Sequence, residues 1–187
     1  LQSRGLGDVY KRQIHITSEE ADGPRVEKMF DVIQSICPEG PAAIISAGDQ
    51  ISDNHVAHPE QPDRQNDHEI VETLFEKELT DHGMDETDIY MAVGNHDANF
   101  AGMDGKYPQE WFPTDTGWYR TQIDGYEVLV LYTETNATEQ QNWLKAQLED
   151  ITKNGTEMDK PIFVVGHRPF PNTVMDGQYA FWSDSYN

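Results

Sequence analysis

Several short polar clusters in this chain carry residue types that suit chemistry better than packing. They are His15, Gly48-Asp49, Gly94-Asn95-His96-Asp97 and Gly166-His167. Imidazole and carboxylate groups bind zinc, manganese or iron. One carboxylate can bridge two ions, and an amide oxygen can complete a coordination sphere. Two ions roughly 3.5–4 Å apart can activate water and stabilise an in-line displacement at phosphorus. A neighbouring protonated imidazole can then stabilise the leaving oxygen. The clusters therefore suit a pair of divalent metals, Mn, Zn or Fe.

Such a site needs elements that bring the clusters together. Residues 25–37 place Val26, Met29, Phe30, Ile33 and Cys37 at helical spacing, and Pro38 and Gly40 stop that helix. Ala42 to Ile45 reads as a buried strand, and a polar loop follows over 50–66. A helix over 67–80 buries Ile70, Val71, Leu74, Phe75 and Leu79, and the next strand runs from Ile89 to Val93. After a long loop over 97–117, strands at Trp118–Ile123 and Glu127–Tyr132 flank Asp124-Gly125, a hairpin signal. Thr138-Glu139-Gln140-Gln141 fits a capping box opening a helix, with Trp143, Leu144, Leu148 and Ile151 as its apolar stripe. Ile162 to Val165 is a last buried strand. This alternation predicts a layered α/β domain with helices packed on a sheet. In open α/β sheets, ligands collect beyond the carboxyl ends of strands. Asp49, Asn95 and His167 each follow such an end, and His15 follows a strand remnant around Ile14.

With these blocks in this order, the chain resembles the calcineurin-like metallophosphoesterase superfamily over roughly residues 14–187. Gly48-Asp49, Gly94-Asn95-His96-Asp97 and Gly166-His167 match three of its motifs, and Gln141-Asn142-Trp143-Leu144 and Arg168-Pro169 also look like the family. The resemblance implies an incomplete four-layer α/β-β/α sandwich. It implies that Asp49 bridges two metals, that Asn95 and His167 bind the second, and that His15 binds the first. His96 would assist the leaving group, with Asp97 orienting its ring. The attacking nucleophile would be a metal-held water or hydroxide, and the substrate a phosphate mono- or diester. The loops at 50–66, 97–117 and 168–187 would shape its pocket.

The chain departs from the family pattern at two places. The family's first Asp falls where Gln13 stands, and no Gly-His-x-His follows Gly166-His167. The expectation is a truncated domain over 14–187, behind a non-native or disordered segment 1–13 that carries Arg4, Lys11 and Arg12. Plainer readings stand beside each assignment. His15 could be a strand histidine, Asp49 a loop cap, Asn95 a turn residue and His96 a stacking ring. Arg168 could approach a substrate phosphate or form a structural salt bridge. His55, His58, His68 and His82 read as solvated polar residues. A second class of function, a non-catalytic metal- or partner-binding domain, fits the same blocks.

Composition narrows the remaining classes. The 187 residues carry a formal charge of -21, so binding to a nucleic-acid backbone is not expected. No apolar stretch reaches the length of a membrane span, and Cys37 is the single cysteine, which excludes a disulfide framework. Oligomeric state and compartment leave no signature in the sequence.

Overall fold

The computed structural model describes residues 14–16, 19–51, 67–98, 114, 116–134, 137–154 and 160–168. The opening segment 1–13, His55 and His58, and most of the three expected pocket loops lie outside the described residues. The elements run α1 (Glu19–Ile36), β1 (Ala43–Ser46), α2 (Asp67–Asp81), β2 (Asp88–Met91), the short turn α3 (Asn95–Ala98), β3 (Tyr119–Ile123), β4 (Tyr126–Val130), α4 (Thr138–Asn154) and β5 (Phe163–Val165). This is a mixed α/β fold, as the alternation predicts.

β1 and β2 pair in parallel, from Ala43 opposite Asp88 to Ser46 opposite Met91. A parallel bridge between Ile16 and Ile51 lies apart from them. The other sheet has the order β3-β4-β5. β3 and β4 are antiparallel, and β5 joins β4 in parallel with Val128 opposite Phe163. The hairpin turn sits where the sequence places it. Asp124 and Gly125 both take positive φ, 49° and 73°, which matches a two-residue primed turn and the right-handed twist of its strands.

One apolar cluster joins the two sheets to α1 and α2. It contains Val26 and Phe30 from α1, Val71 and Phe75 from α2, Val93 beyond β2, and Val128 and Val130 from β4. Phe30 and Phe75 meet edge to face with centroids 6.0 Å apart. Each such side chain contributes about 1.5–3 kcal/mol on leaving water. The buried apolar residues of α1 and α2 are among those the helical spacing picks out; Met29, Ile33 and Leu79 are only partly buried, and Asp22 and Glu78 are buried as well.

Tyr119 supplies a polar link between the sheets. Its buried hydroxyl accepts from Met91 N at 3.1 Å and donates to Met91 O at 2.9 Å. Met91 faces Ser46 of β1 in the sheet, so the tyrosine completes the opposite edge of β2. Burial pushes the phenol up to about 12. Tyr119→Phe strands two buried backbone groups and should cost about 1–3 kcal/mol in urea unfolding. A midpoint matching wild type would show that the link carries no stability.

Several sequence expectations need correction. α1 begins six residues before Arg25 and contains Pro24. Pro24 lacks the N–H that would reach back to Glu20, so the apolar pattern starts only after it. α4 buries Gln140 and Ile151 and leaves Leu148 37% exposed. The inner face is therefore rotated from the expected stripe. Ala137 O accepts from Gln141 N at 3.2 Å, so the helix opens at Ala137, one residue before the expected cap. Gln140 instead clamps the Tyr132 backbone, accepting from its N at 2.7 Å and donating to its O at 3.0 Å. β1 and β5 are not fully buried. β5 is an edge strand, and Phe163 and Val164 keep 48% and 42% of their surface. Ile45 of β1 is also exposed. His82 is not solvated: its side chain is only 9% exposed. It lies beside the Phe30 ring, with Nδ1 2.8 Å from Glu78 O at the end of α2.

Candidate metal centre

The tips of β1, β2 and β5 converge on Asp49. The approach of the first two tips depends on glycine. A Cβ at Gly48 would lie 2.8 Å from Gly94 N and 2.9 Å from His167 Nδ1. A Cβ at Gly94 would run into Asp49 itself. The loops therefore pass backbone against backbone, closer than any side chain permits. Asp49 and His15 both hold positive φ, 55° and 45°. Non-glycine residues take that conformation at a cost, and it clusters at functional sites.

The strand remnant is anchored from two sides. His15 N donates to Asp49 O at 3.1 Å and Ile16 N to Gln50 O at 2.9 Å. Arg25 on α1 donates to the carbonyls of Ile14 and His15, and its guanidinium pairs with Asp22 at 2.7 Å. A helix side chain thus fixes where His15 enters the site.

Asp49 is 1% exposed and sits between two groups of ligand atoms. Its Oδ2 lies 3.3 Å from His167 Nε2, 3.8 Å from His15 Nε2 and 3.9 Å from His96 Nε2. Its Oδ1 accepts from His96 N at 3.0 Å. Burial pushes this carboxyl up, but the hydrogen bonds from His167 and the His96 amide outweigh it and hold Asp49 below the usual range. It stays charged at neutral pH. Burial pushes the His15 ring below its ordinary value, against the pull of Asp49 and with a further push from His96. His15 and His96 stand edge to face at 4.8 Å.

On the other side, His167 Nδ1 donates to Ala47 O at 3.0 Å, because a carbonyl can only accept. That bond leaves Nε2 to face Asp49 and Asn95 Oδ1, the latter at 3.1 Å. Burial pushes the ring down, but the Asp49 hydrogen bond and charge raise it overall.

The residues present fit a divalent ion. Metal–ligand bonds near 2.1 Å put neighbouring ligands about 3.0 Å apart at a right angle and about 3.4 Å apart at a tetrahedral angle. His167 Nε2 lies 3.1 Å from Asn95 Oδ1 and 3.3 Å from Asp49 Oδ2, which matches. His15, Asp49 and His96 form a second candidate group, with ligand atoms all within 4.8 Å of one another. That grouping places His96 within a candidate ligand set.

Asp97 is 2% exposed, and its carboxylate serves the backbone. It accepts from Asp49 N at 2.7 Å, Gly94 N at 2.8 Å and Gln50 N at 3.0 Å. The family resemblance implies for it a role in orienting the His96 ring; in the structure these bonds stitch the two loop tips together. Burial pushes it up to about 6, partly offset by the Gly94 and Asp49 amides. The sequence reading missed Glu134 and Thr133, which hold Arg168. Arg168 Nε donates to Glu134 Oε1 at 2.9 Å, and Arg168 N donates to Thr133 Oγ1 at 2.8 Å. No periodicity or motif marks either residue.

Fold and site together define a mixed α/β chain whose strand ends gather histidine and carboxylate groups that could hold a metal ion. The chain belongs to the calcineurin-like phosphoesterase family, whose model matches residues 6–187. That family is one of metal-dependent phosphoester hydrolases, and its members typically bind divalent metals. No curated protein and no solved structure matches the chain significantly. Among the described residues no helix is long and apolar enough to cross a membrane.

Proposed function

We propose that the protein hydrolyses phosphate mono- or diesters at a two-metal centre built on Asp49. The observation that carries this reading is the position of the buried Asp49 carboxylate, with His167 and Asn95 on one side and His15 and His96 on the other. Divalent ions bound there would polarise the phosphoryl oxygen and ease deprotonation of a water at neutral pH. The chain's own residues supply the rest. Asp49 is held anionic by its hydrogen bonds, so it offers charge to both sides. His167 presents Nε2 because Ala47 O takes the proton on Nδ1. His15 and His96 side chains are each 30% exposed and border the open side of the centre, where an ester would enter. There the His96 ring can donate a proton to the departing oxygen. Asp97 holds the loop tips in register beneath them.

The test is hydrolysis of p-nitrophenyl phosphate and its bis-ester with added Mn²⁺, Zn²⁺ or Fe²⁺. Metal-dependent turnover supports the proposal, and the preferred ester divides phosphatase from phosphodiesterase. One observation favours a second reading, a metal- or partner-binding domain without turnover. The His15 and His96 nitrogens stand 3.8 and 3.9 Å from Asp49 Oδ2, looser than His167. Tight metal binding with no hydrolysis of either ester would select that reading.

Protons and metal compete for His167. Its raised pKa means that the protonated ring stabilises the fold below about 6.5, a contribution lost as pH rises through the folded value. A ligand ring must be neutral, so binding expels that proton. The apparent Mn²⁺ affinity should climb with pH through this range by up to about tenfold per unit. Calorimetry in buffers of different ionisation enthalpy would count the proton released. An affinity flat from pH 6 to 8 would contradict the assignment.

A further inference from the structure

We infer that Glu134 and Arg168 form a clamp that decides which atom of the Asn95 amide faces the metal centre. The inference rests on the reading of Asn95 and His167 as a ligand pair. An asparagine can ligate a metal only through Oδ1, yet its two ends have nearly the same shape. A neutral His167 would favour the wrong end. With Nδ1–H committed to Ala47 O, a neutral ring offers a bare Nε2, which accepts hydrogen bonds. Alone, it would draw the Nδ2 amide hydrogens of Asn95 towards itself, and each ligand would then block the other.

Arg168 reverses this preference. A guanidinium has donors and no acceptor. Its Nη2 donates to Asn95 Oδ1 at 2.7 Å, so a flipped amide would set donor against donor. Glu134 holds the guanidinium in place, taking Nε at 2.9 Å and Nη2 at 3.3 Å through a carboxylate only 6% exposed. The Arg168 amide is pinned to Thr133 Oγ1. Glu134 and Thr133 follow β4, while Arg168 follows β5 directly after His167. The clamp thus ties the tips of two neighbouring strands to the tip of β2. An amide oxygen has two lone pairs, so Oδ1 can accept from Arg168 at 2.7 Å and still face His167 at 3.1 Å. In this role Arg168 is a positioning residue.

The test is Mn²⁺ binding by calorimetry on the intact chain, with thermal unfolding as a folding control. His167→Ala should abolish binding at this side. Arg168→Ala should weaken it by roughly tenfold or more, the usual scale for a group that orients a ligand. Glu134→Gln keeps the shape and should weaken binding several-fold, which covers the case of an unstable Arg168→Ala. The decisive variant is Asn95→Asp, because a carboxylate has no wrong end. In that background Arg168→Ala should cost nothing, or should improve binding by freeing the carboxylate. A merely structural arginine would cost the same in both backgrounds, and that result would overturn the clamp. Wild-type affinity in Arg168→Ala, with binding lost in His167→Ala, would also overturn it while leaving the metal centre standing. Unchanged binding in His167→Ala would remove the metal reading and the clamp with it.

Discussion

Asp49→Ala is expected to abolish metal-dependent ester hydrolysis and to weaken Mn²⁺ binding at both sides of the centre. Groups that only orient a ligand typically contribute 10- to 100-fold in metal affinity, so a direct, shared ligand should exceed about 100-fold. The reason is specific to this residue. Asp49 Oδ2 is the common neighbour of His15, His96 and His167, at 3.8, 3.9 and 3.3 Å. Asp49 is the carboxylate that groups with the His15 and His96 rings among the described residues. Without it, each side retains only neutral nitrogen or amide groups among the described residues. Asp49→Asn separates charge from shape. It keeps an oxygen for the His96 amide, so the fold should hold while binding and turnover fail together. Calorimetry and the two nitrophenyl esters read both effects. Full turnover in Asp49→Asn would move the chemistry away from this centre.

The site was legible because its residues violate packing logic. Short apolar runs such as Ile44-Ile45 and Phe163-Val164-Val165 end in Gly-Asp or Gly-His, which a buried strand does not need. Chain order then told which tips belong together, and the structure brings Asp49, Asn95 and His167 within contact distance. What stayed hidden depends on tertiary partners. Asp97 looks like a fourth member of a reactive tetrad, but its oxygens face backbone amides brought in from the other loop. Glu134 is one acid among many in a chain of net charge -21, and only its burial against Arg168 marks it. His82 follows the last turn of α2, where helical periodicity no longer predicts burial; Phe30 from α1 covers it. The same limit explains α4. Spacing shows that an apolar stripe exists, but Gln140 rotates it by seeking the Tyr132 backbone.

Gly94→Ala should be the most damaging alanine substitution among the described glycines. The added methyl would overlap Asp49 N and the Asp49 carboxyl. Neither can retreat: Asp49 N is bonded to Asp97 at 2.7 Å, and Asp49 Oδ1 to His96 N at 3.0 Å. Overpacking usually costs 1–3 kcal/mol. With immobile backbone on the far side, the upper end applies, about 3 kcal/mol. For a chain of this size that lowers Tm by roughly 6–12 °C. Gly83→Ala is the matched control. Its φ is +66° with nothing within 4 Å, so only conformational strain of about 1–2 kcal/mol applies. The two variants should also differ in function. Gly83 lies after α2, away from the ligands, and its variant should bind Mn²⁺ as wild type does. Gly94→Ala must part the β1 and β2 tips, so its metal affinity should fall along with its stability. Equal stability losses in the two variants, with metal binding intact in both, would mean that the tips have room to separate. The close glycine contact would then have no part in building the centre.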